Sequence, residues 1–199
     1  MTLLEEIPSE SFREASIPVL ETKRLALRAP RLEDAKTVAA LANDRRIAEN
    51  TARIPHPYRM TDAEGFISDA NKAAGDAVFL ITLRDGSIAG ACSIMCGGES
   101  PELGYWLGTP YWGKGYATEA LHAVVDYAFT DLGHDALQAG ARVTNPASRH
   151  VLEKCGFQWT GVGLYRIRAI NSSAPIDRFR LERRIWSALK DWGRMKKVS

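Results

Sequence analysis

The sequence predicts a single domain of the α/β (α+β) class, with a mixed, mostly antiparallel sheet of six to seven strands and helices on both faces. Three observations lead to this prediction. The 199 residues are 45% hydrophobic and 25% charged, which suits one globular domain with a full core. Short strand patterns alternate along the chain with amphipathic helix patterns. A hairpin signal at Asp85-Gly86 joins two of the strands, which favours a mixed sheet over a purely parallel one.

The strand patterns divide the chain into a leader, one domain and a tail. Residues 1–20 mix Glu, Ser and Pro without a period, which predicts an irregular leader before a domain at 21–190 and a tail at 191–199. Strands are predicted where apolar residues alternate or strand-forming residues accumulate, at 24–28, 77–83, 87–95, 102–107, 137–143, 157–170 and 178–186. A polar turn at 171–173 separates the last two strands.

The helices are predicted from apolar residues at helical spacing, at 32–41, 61–74, 116–132 and 147–155. Thr61 and Glu64 form a capping box pattern, in which each side chain satisfies a backbone donor at the helix start. Asn145-Pro146 supplies an N-cap and a first-turn proline to the last helix. A glycine follows each of the last two helices and ends it.

Charge and cysteine content exclude several classes of partner. The formal net charge of +2 is too balanced for a nucleic-acid or membrane surface, so neither partner is expected. Residues 1–6 are acidic where a signal peptide is basic, and no uncharged stretch is long enough to span a bilayer. The cysteines are odd in number and form no Cys-x-x-Cys pair, which predicts a cytoplasmic protein without a metal site: Cys92, Cys96 and Cys155.

The segment between the fourth predicted strand and the longest helix is a candidate anion site. Gly113 and Gly115 allow the backbone to approach a ligand closely, and the helix that follows contributes a partial positive charge at its N-terminus. Lys114 adds a full charge at the rim. A phosphate or pyrophosphate is the natural ligand of such a turn, although glycines also occupy strand-to-helix turns that bind nothing.

Two nucleotide-binding motifs compete for the same residues. Residues 108–114 fit the triphosphate-loop pattern G-x-x-x-x-G-K, but Gly115 follows where that loop has a Ser or Thr that binds magnesium. A dinucleotide fingerprint needs a third glycine where this chain has Thr118, and no early βαβ unit surrounds the motif. Both patterns are incomplete.

Four segments together resemble the GCN5-related N-acetyltransferase (GNAT) family, and in particular its ribosomal-protein N-terminal acetyltransferase branch of RimJ and RimL. The segments occur in the order that the family has them, at 21–28, 102–107, 112–120 and 145–157. The resemblance implies a sheet that is splayed between its central strands, with acetyl-coenzyme A lying in the opening. It departs from the wider family at Trp112, where Arg or Gln is common, although this branch often has Trp.

The resemblance also implies which residues bind the coenzyme. By position, the backbone of Tyr105, Trp106 and Leu107 pairs with the pantetheine amides. Asn145 matches an asparagine that contacts the coenzyme. The turn that binds the pyrophosphate comprises Gly113, Lys114, Gly115, Tyr116, Ala117 and Thr118.

Two catalytic roles follow from the chemistry of amine acetylation, because the amine must lose a proton and the departing thiolate gains one. By resemblance, Glu102 accepts the proton through a water, and Ser148 donates to the thiolate. Each has a purely structural alternative, since a Glu at a strand edge can simply face solvent and a Ser near a helix start can serve as a cap. A tyrosine is the alternative acid, and the sequence does not rank the candidates Tyr111, Tyr116 and Tyr165.

Several functions remain compatible with these residues. The resemblance favours acetylation of a protein N-terminal amine by a monomer or homodimer, and a small-molecule amine is the alternative acceptor. A non-catalytic acyl-coenzyme A sensor and a nucleotide-binding protein are the other classes. Cys155 falls on the apolar face of its helix, so we expect a buried structural thiol and direct transfer without an acyl-enzyme.

Overall fold

The computed structural model of the chain describes residues 17–70, 72 and 74–195. Most of the predicted leader, and residues 196–199 of the predicted tail, lie outside the described residues. The described chain contains eight strands and six α-helices. The strands are β1 (Leu20–Glu21), β2 (Leu25–Arg28), β3 (Ala77–Leu83), β4 (Ile88–Met95), β5 (Glu102–Leu107), β6 (Ala136–Arg142), β7 (Gln158–Ile167) and β8 (Ser172–Glu182). The helices are α1 (Ala35–Ala42), α2 (Arg45–Ala48), α3 (Met60–Asp69), α4 (Tyr116–Thr130), α5 (Pro146–Lys154) and α6 (Arg183–Met195).

All eight strands form one sheet in the order β1-β2-β3-β4-β5-β6-β8-β7. Every neighbouring pair is antiparallel except β5 and β6, which are parallel. The predicted class is therefore confirmed, with one more strand than the six to seven predicted, because the two residues of β1 pair with β2.

Two hydrophobic cores lie on opposite faces of the sheet. Phe79 and Ile81 of β3 pack into the core that contains α4 and α5, whereas Leu80 between them faces the core formed with α1 and α3. All three side chains are fully buried. Because both faces are covered, β3 is an uninterrupted apolar run instead of an alternating strand.

The sheet opens between its two parallel strands. Pairing of β5 with β6 is limited to Glu102 with Gln138 and Leu103 with Ala139. Beyond this point 104–107 pair with β4, and 140–142 pair with β8. The backbone edges of β5 and β6 that face each other are left without a partner strand there, which is the splay implied by the resemblance.

The structure corrects the predicted ends of two elements. Helix α3 begins at Met60 and ends at Asp69, and its N-terminal carboxylate is Asp62, which accepts a hydrogen bond from the Arg59 N–H at 2.9 Å. The predicted capping box of Thr61 and Glu64 is therefore wrong by two positions. Asp62 satisfies the same kind of backbone donor at the helix start, so the pattern was present but in a different register.

The C-terminal region differs most from the prediction. Strand β8 begins at Ser172 instead of residue 178, and residues 183–186 begin α6 instead of ending a strand. The ring of Trp186 packs against Phe129 of α4 at 5.3 Å between centroids, and its indole N–H donates to Asp126 at 2.7 Å. These contacts with α4 stabilise a helix that the local sequence alone does not indicate.

Candidate active site

The glycine turn adopts the conformation that its composition predicts. Gly113 and Gly115 have positive φ angles of 72° and 77°, and Gly115 is the N-cap of α4. The first hydrogen bond of the helix runs from the Glu119 N–H to the Gly115 carbonyl at 3.1 Å. The N–H groups at 116–118 therefore have no intrahelical acceptor and are directed towards the N-terminal end of the helix. This geometry suits an anion such as pyrophosphate.

An ion-paired network anchors this turn to the start of the sheet. Arg24, which precedes β2, donates through Nε to Glu119 at 2.6 Å and through Nη1 to the Lys114 carbonyl at 2.9 Å. Its guanidinium also stacks on the Tyr116 ring at 4.7 Å from the centroid. Burial of Glu119 favours its neutral form, but hydrogen bonds from Thr22 and Arg24 outweigh this effect and hold the pKa of Glu119 below its ordinary value. Sequence reasoning missed this pair, because no local signal joins residues that are 95 positions apart.

Trp112 connects the turn with the end of β5. Its indole Nε1 donates to the Leu107 carbonyl at 2.7 Å, and the Arg46 guanidinium lies over its ring at 5.5 Å. The Leu107 carbonyl oxygen therefore already accepts a protein hydrogen bond. Trp112, at the start of the turn, thus has a structural role, because it connects the turn to β5 through this hydrogen bond.

Alternation along β5 determines which backbone groups face the opening. The Gly108 N–H donates to Ala89 on β4 at 2.8 Å, and the Gln138 N–H of β6 donates to the Pro101 carbonyl at 2.8 Å. Backbone groups therefore point to β4 at even positions and to the β6 side at odd positions. By this rule Tyr105 and Leu107 direct their backbone N–H groups into the opening. The backbone N–H and C=O groups of Trp106 are instead directed to β4.

Side chains on β5 alternate in the same way between the two faces. Tyr105 packs against the core that contains α4, and Trp106 packs against the core of α1 and α3. Glu102 shares the face of Trp106 because two-residue steps return to the same side of a strand. The carboxylate of Glu102 is about half exposed and lies 4.0 Å from Arg53 Nη2.

A hydroxyl pair lies on the other face, beside the opening. The Tyr105 phenol donates to Ser148 Oγ at 2.9 Å. Burial raises the pKa of Tyr105 to about 12, although the hydrogen bond to Ser148 opposes the change. The Ser148 N–H in turn donates to Asn145 Oδ1 at 3.1 Å, so Asn145 is the side-chain cap of α5. The structural role that the sequence left open for Asn145 is thus present.

The tyrosine that contacts Ser148 is none of the three that the sequence offered. Tyr111 lies beside Lys114, whose Nζ is 5.8 Å from the ring centroid, and Tyr116 stacks on Arg24. Tyr165 is exposed on β7. Tyr105 was predicted only as a backbone contact, although its odd position on β5 places its side chain on the α5 face.

Cys155, the C-cap of α5, is buried, as the sequence predicts. It is 5% exposed, and burial raises the pKa of its thiol to about 12. Across the described residues, no group of three or more His, Cys, Asp or Glu side chains is arranged to hold a metal ion. None of the helices at 17–195 that the structure describes is both long and apolar enough to cross a membrane.

The open mixed sheet and the glycine turn at the N-terminus of α4 are the features that the resemblance to N-acetyltransferases implies. A family model for the acetyltransferase (GNAT) domain matches residues 24–158. The chain therefore belongs to the GNAT family and is an N-acetyltransferase.

Known proteins similar to the chain support the class but differ in acceptor. An uncharacterized N-acetyltransferase, p20, of Bacillus licheniformis is 30% identical over 149 residues, which cover 72% of this chain and 84% of that protein. RimL, a ribosomal L7/L12 α-N-protein acetyltransferase solved with coenzyme A, superposes with a TM-score of 0.74 at 16% identity and covers 83% of this chain and 98% of its own. A spermidine N-acetyltransferase from Vibrio cholerae, solved with coenzyme A and spermine, superposes with a TM-score of 0.71 at 21% identity. The superposition covers 83% of this chain and 99% of that one.

Proposed function

We propose that the protein transfers an acetyl group directly from acetyl-coenzyme A to the α-amine of a protein N-terminus, with Glu102 as the proton acceptor and Ser148 as the proton donor. The observation that carries the proposal is the placement of these groups on opposite faces of the sheet, at the point where β5 and β6 separate. An amine and a thiol can therefore meet at one carbonyl from two sides.

The turn at 113–118 and the edge of β5 are the proposed coenzyme site. The N-terminal N–H groups of α4 suit the pyrophosphate, with Lys114 at the rim. In the opening, the backbone of Tyr105 and the N–H of Leu107 suit the pantetheine amides, whereas Trp106 contributes its side chain to the acceptor face. Asn145 is retained in the proposal as a residue that caps α5 beside the coenzyme.

The proposed reaction balances with groups that the chain supplies. Acetyl-coenzyme A supplies a thioester, whose C–S bond breaks as a C–N bond forms with the amine. Glu102 takes the amine proton through a water, and Ser148 gives a proton to the sulfur. Because Tyr105 donates to Ser148 Oγ, the Ser148 proton is free to point at the sulfur, and Tyr105 can replace it.

An α-amine suits this site better than a lysine side chain does. With a pKa of about 8, roughly a tenth of an α-amine is deprotonated at neutral pH, against less than about a thousandth of a lysine amine. Transfer to an α-amine therefore depends less on removal of a proton by the protein than transfer to a lysine amine does. The similarity to RimL, which acetylates a protein α-amine, supports the same acceptor. The free cysteines Cys92, Cys96 and Cys155 support a cytoplasmic setting. We assign the predicted 21–190 as the catalytic domain and extend it to Met195, because α6 continues past residue 190.

The test compares Glu102→Gln with Glu99→Gln in single-turnover acetylation of a serine-starting peptide. Glu99 is an exposed carboxylate in the loop before β5 and is the matched control. We expect Glu102→Gln to slow transfer about 100-fold, as is typical of losing a general base, and Glu99→Gln to leave the rate unchanged. Equal rates for wild type and Glu102→Gln would remove Glu102 from the mechanism.

Thermal shifts separate this function from the two alternative classes. A ligand that binds only the native state raises the melting temperature, so coenzyme A stabilises an acetyltransferase, and ATP with magnesium stabilises a nucleotide-binding protein. Stabilisation by coenzyme A without transfer to any peptide or small amine would favour a sensor.

A further inference from the structure

The face of the sheet that carries Glu102 also carries a row of arginines. On β8, Phe179 and Leu181 pack into the α4 core. Because side chains alternate along a strand, Arg178 and Arg180 lie on the opposite face, which is the face of Glu102. On β6, Arg142 lies on that face by the same alternation, next to the buried Ala141. We call Arg53, Arg142, Arg178 and Arg180 the arginine face.

Strand register relates this face to the candidate base. Glu102 pairs with Gln138, and Gln138 pairs with Arg180, so the three residues form one row across β5, β6 and β8. Neighbouring strands are about 4.8 Å apart, which places the Cα atoms of Glu102 and Arg180 roughly 10 Å apart. Arg178 precedes Arg180 by two residues on β8, on the side towards the opening, opposite Gly140.

The guanidinium of Arg178 has no anionic partner among the residues that the structure describes. It lies over two glycines of β7, where a Cβ built on Gly163 would be 3.4 Å from Arg178 Nε and one built on Gly161 would be 3.9 Å from Nη2. Within the part of the chain that the structure describes, no carboxylate lies within 4.0 Å of this guanidinium. A planar guanidinium without an anion is a ready receptor for a carboxylate or phosphate.

The rest of the arginine face is only partly neutralised. Arg142 donates through Nη1 to the Glu49 carbonyl at 2.8 Å, and its buried Nε has no acceptor among the described residues. Arg180 lies 3.8 Å from Glu182, which also pairs with Arg184. The arginine face therefore brings four cations together with two described carboxylates of β5 and β8, Glu102 and Glu182, and Glu182 is shared with Arg184.

We propose that the acceptor is anionic: an α-amine followed, within the same molecule, by carboxylate or phosphate groups that Arg178 and Arg180 bind. This proposal rests on the proposed function and narrows its acceptor. A peptide advances about 3.3 to 3.6 Å per residue, so acidic side chains at its second to fourth positions reach the arginines when its amine is at Glu102. A polyamine, by contrast, is repelled by the same face.

The experiment uses peptides that start with serine, end in an amide and continue with three aspartates, three glutamines or three lysines. For wild type we expect kcat/KM to be about tenfold higher for the aspartate peptide than for the glutamine peptide, as one partly exposed charge-assisted contact provides. The preference falls as salt rises from about 0.05 to 0.5 M, because exposed charges are screened. Equal or faster acetylation of the lysine peptide or of spermidine would overturn the proposal.

Variants assign the preference to the arginine face. In Arg178→Gln, the ratio of kcat/KM for the aspartate peptide to kcat/KM for the glutamine peptide falls towards one. Arg31→Gln changes another exposed arginine, beyond the far end of β2, and leaves the ratio as in wild type. An unchanged ratio in Arg178→Gln would show that Arg178 does not bind the acceptor, and melting temperatures check that both variants fold.

Two further measurements distinguish failure of this proposal from failure of the proposed function. Phosphoethanolamine carries an amine and a phosphate but is not a peptide. If it is acetylated, the peptides are not, and Arg178→Gln loses this activity, the acceptor is anionic but is not a protein N-terminus, and the proposed function fails while the arginine face is upheld. Fluorescence anisotropy of the labelled peptides with coenzyme A-loaded protein needs no turnover. Tighter, Arg178-dependent binding of the aspartate peptide supports the proposal even without transfer, and equal binding of all three peptides contradicts it.

Discussion

The phenol of Tyr105 and the hydroxyl of Ser148 are 2.9 Å apart, although they lie 43 positions apart in the chain and on different kinds of element. Strand β5 holds the first, and the first turn of α5 holds the second. The pair connects a strand that borders the opening with a helix whose start is capped by Asn145. The Ser148 hydroxyl, the proposed proton donor, is therefore held from two directions.

We expect Ser148→Ala to slow transfer about 100-fold and Tyr105→Phe about tenfold, because the first removes the donor to the thiolate and the second removes only the group behind it. Since burial raises the pKa of Tyr105 to about 12, the Tyr105 phenol stays protonated up to about pH 10. Its ionisation therefore causes no loss of rate below that pH. Stopped-flow measurement of thiol release between about pH 7 and 10 checks both points. Tyr165→Phe on β7 is the control, and a similar slowing there would count against the pair.

Gly115→Ala should weaken coenzyme A binding, and Gly133→Ala should not. Both glycines have positive φ, 77° and 74°, so an added Cβ costs each variant about 1 to 2 kcal/mol in free energy of unfolding. Only at Gly115 does the Cβ meet a neighbour, Arg24 Nη2 at 3.4 Å, while at Gly133 it enters open space. Calorimetric titration with coenzyme A and urea unfolding measure the two effects. Equal loss of binding in both variants would assign it to stability alone.

Glu119→Gln should loosen the turn without contacting the ligand. We expect the dissociation constant of coenzyme A to rise several-fold and the free energy of unfolding at pH 7 to fall by about 1 kcal/mol, a modest figure because Arg24 is partly exposed and the pair is screened. Glu33→Gln, in an exposed pair with Arg31, is the control.

The same variant has a defined pH dependence. The folded-state pKa of Glu119 lies below the ordinary value of 4.5, so its stabilising effect is complete above that value and is lost as pH falls through the folded-state pKa. The stability difference between wild type and Glu119→Gln should therefore be constant from about pH 7 to 5.5 and shrink in more acidic solution. A difference that grows on acidification would contradict the network.

The cysteines should be dispensable for transfer. Burial raises the pKa of Cys92 and that of Cys155, so both thiols stay protonated and shielded at neutral pH, and iodoacetamide should modify the more exposed Cys96 first. Cys155→Ala should keep the wild-type transfer rate. Mass spectrometry after mixing with acetyl-coenzyme A alone checks for an acetylated protein, whose appearance would favour an acyl-enzyme over direct transfer.

Local patterns predicted the strands and the turn well. The bounds of β3 were predicted correctly, because a continuous apolar run marks the strand and the Asp85-Gly86 hairpin signal follows it, and the predicted bounds of β5 also agree with the structure. Helix α6 was not predicted, because the contacts that stabilise it are made with another helix. Trp186 packs against Phe129 and donates a hydrogen bond to Asp126, and both residues lie on α4. A pattern of local residues does not contain that information.

The sequence by itself indicated the family, through four segments in family order, and the glycine turn at 113–118, since both depend on residue types at short spacing; the resemblance then supplied Glu102 as the candidate base. Only the tertiary structure decided that Tyr105 is the partner of Ser148, that Arg24 and Glu119 hold the turn, and that arginines from β6 and β8 share a face with Glu102. The physical reason is that these relationships depend on strand order and register, which bring distant segments within hydrogen-bonding distance, and local sequence patterns constrain register only weakly across an open sheet.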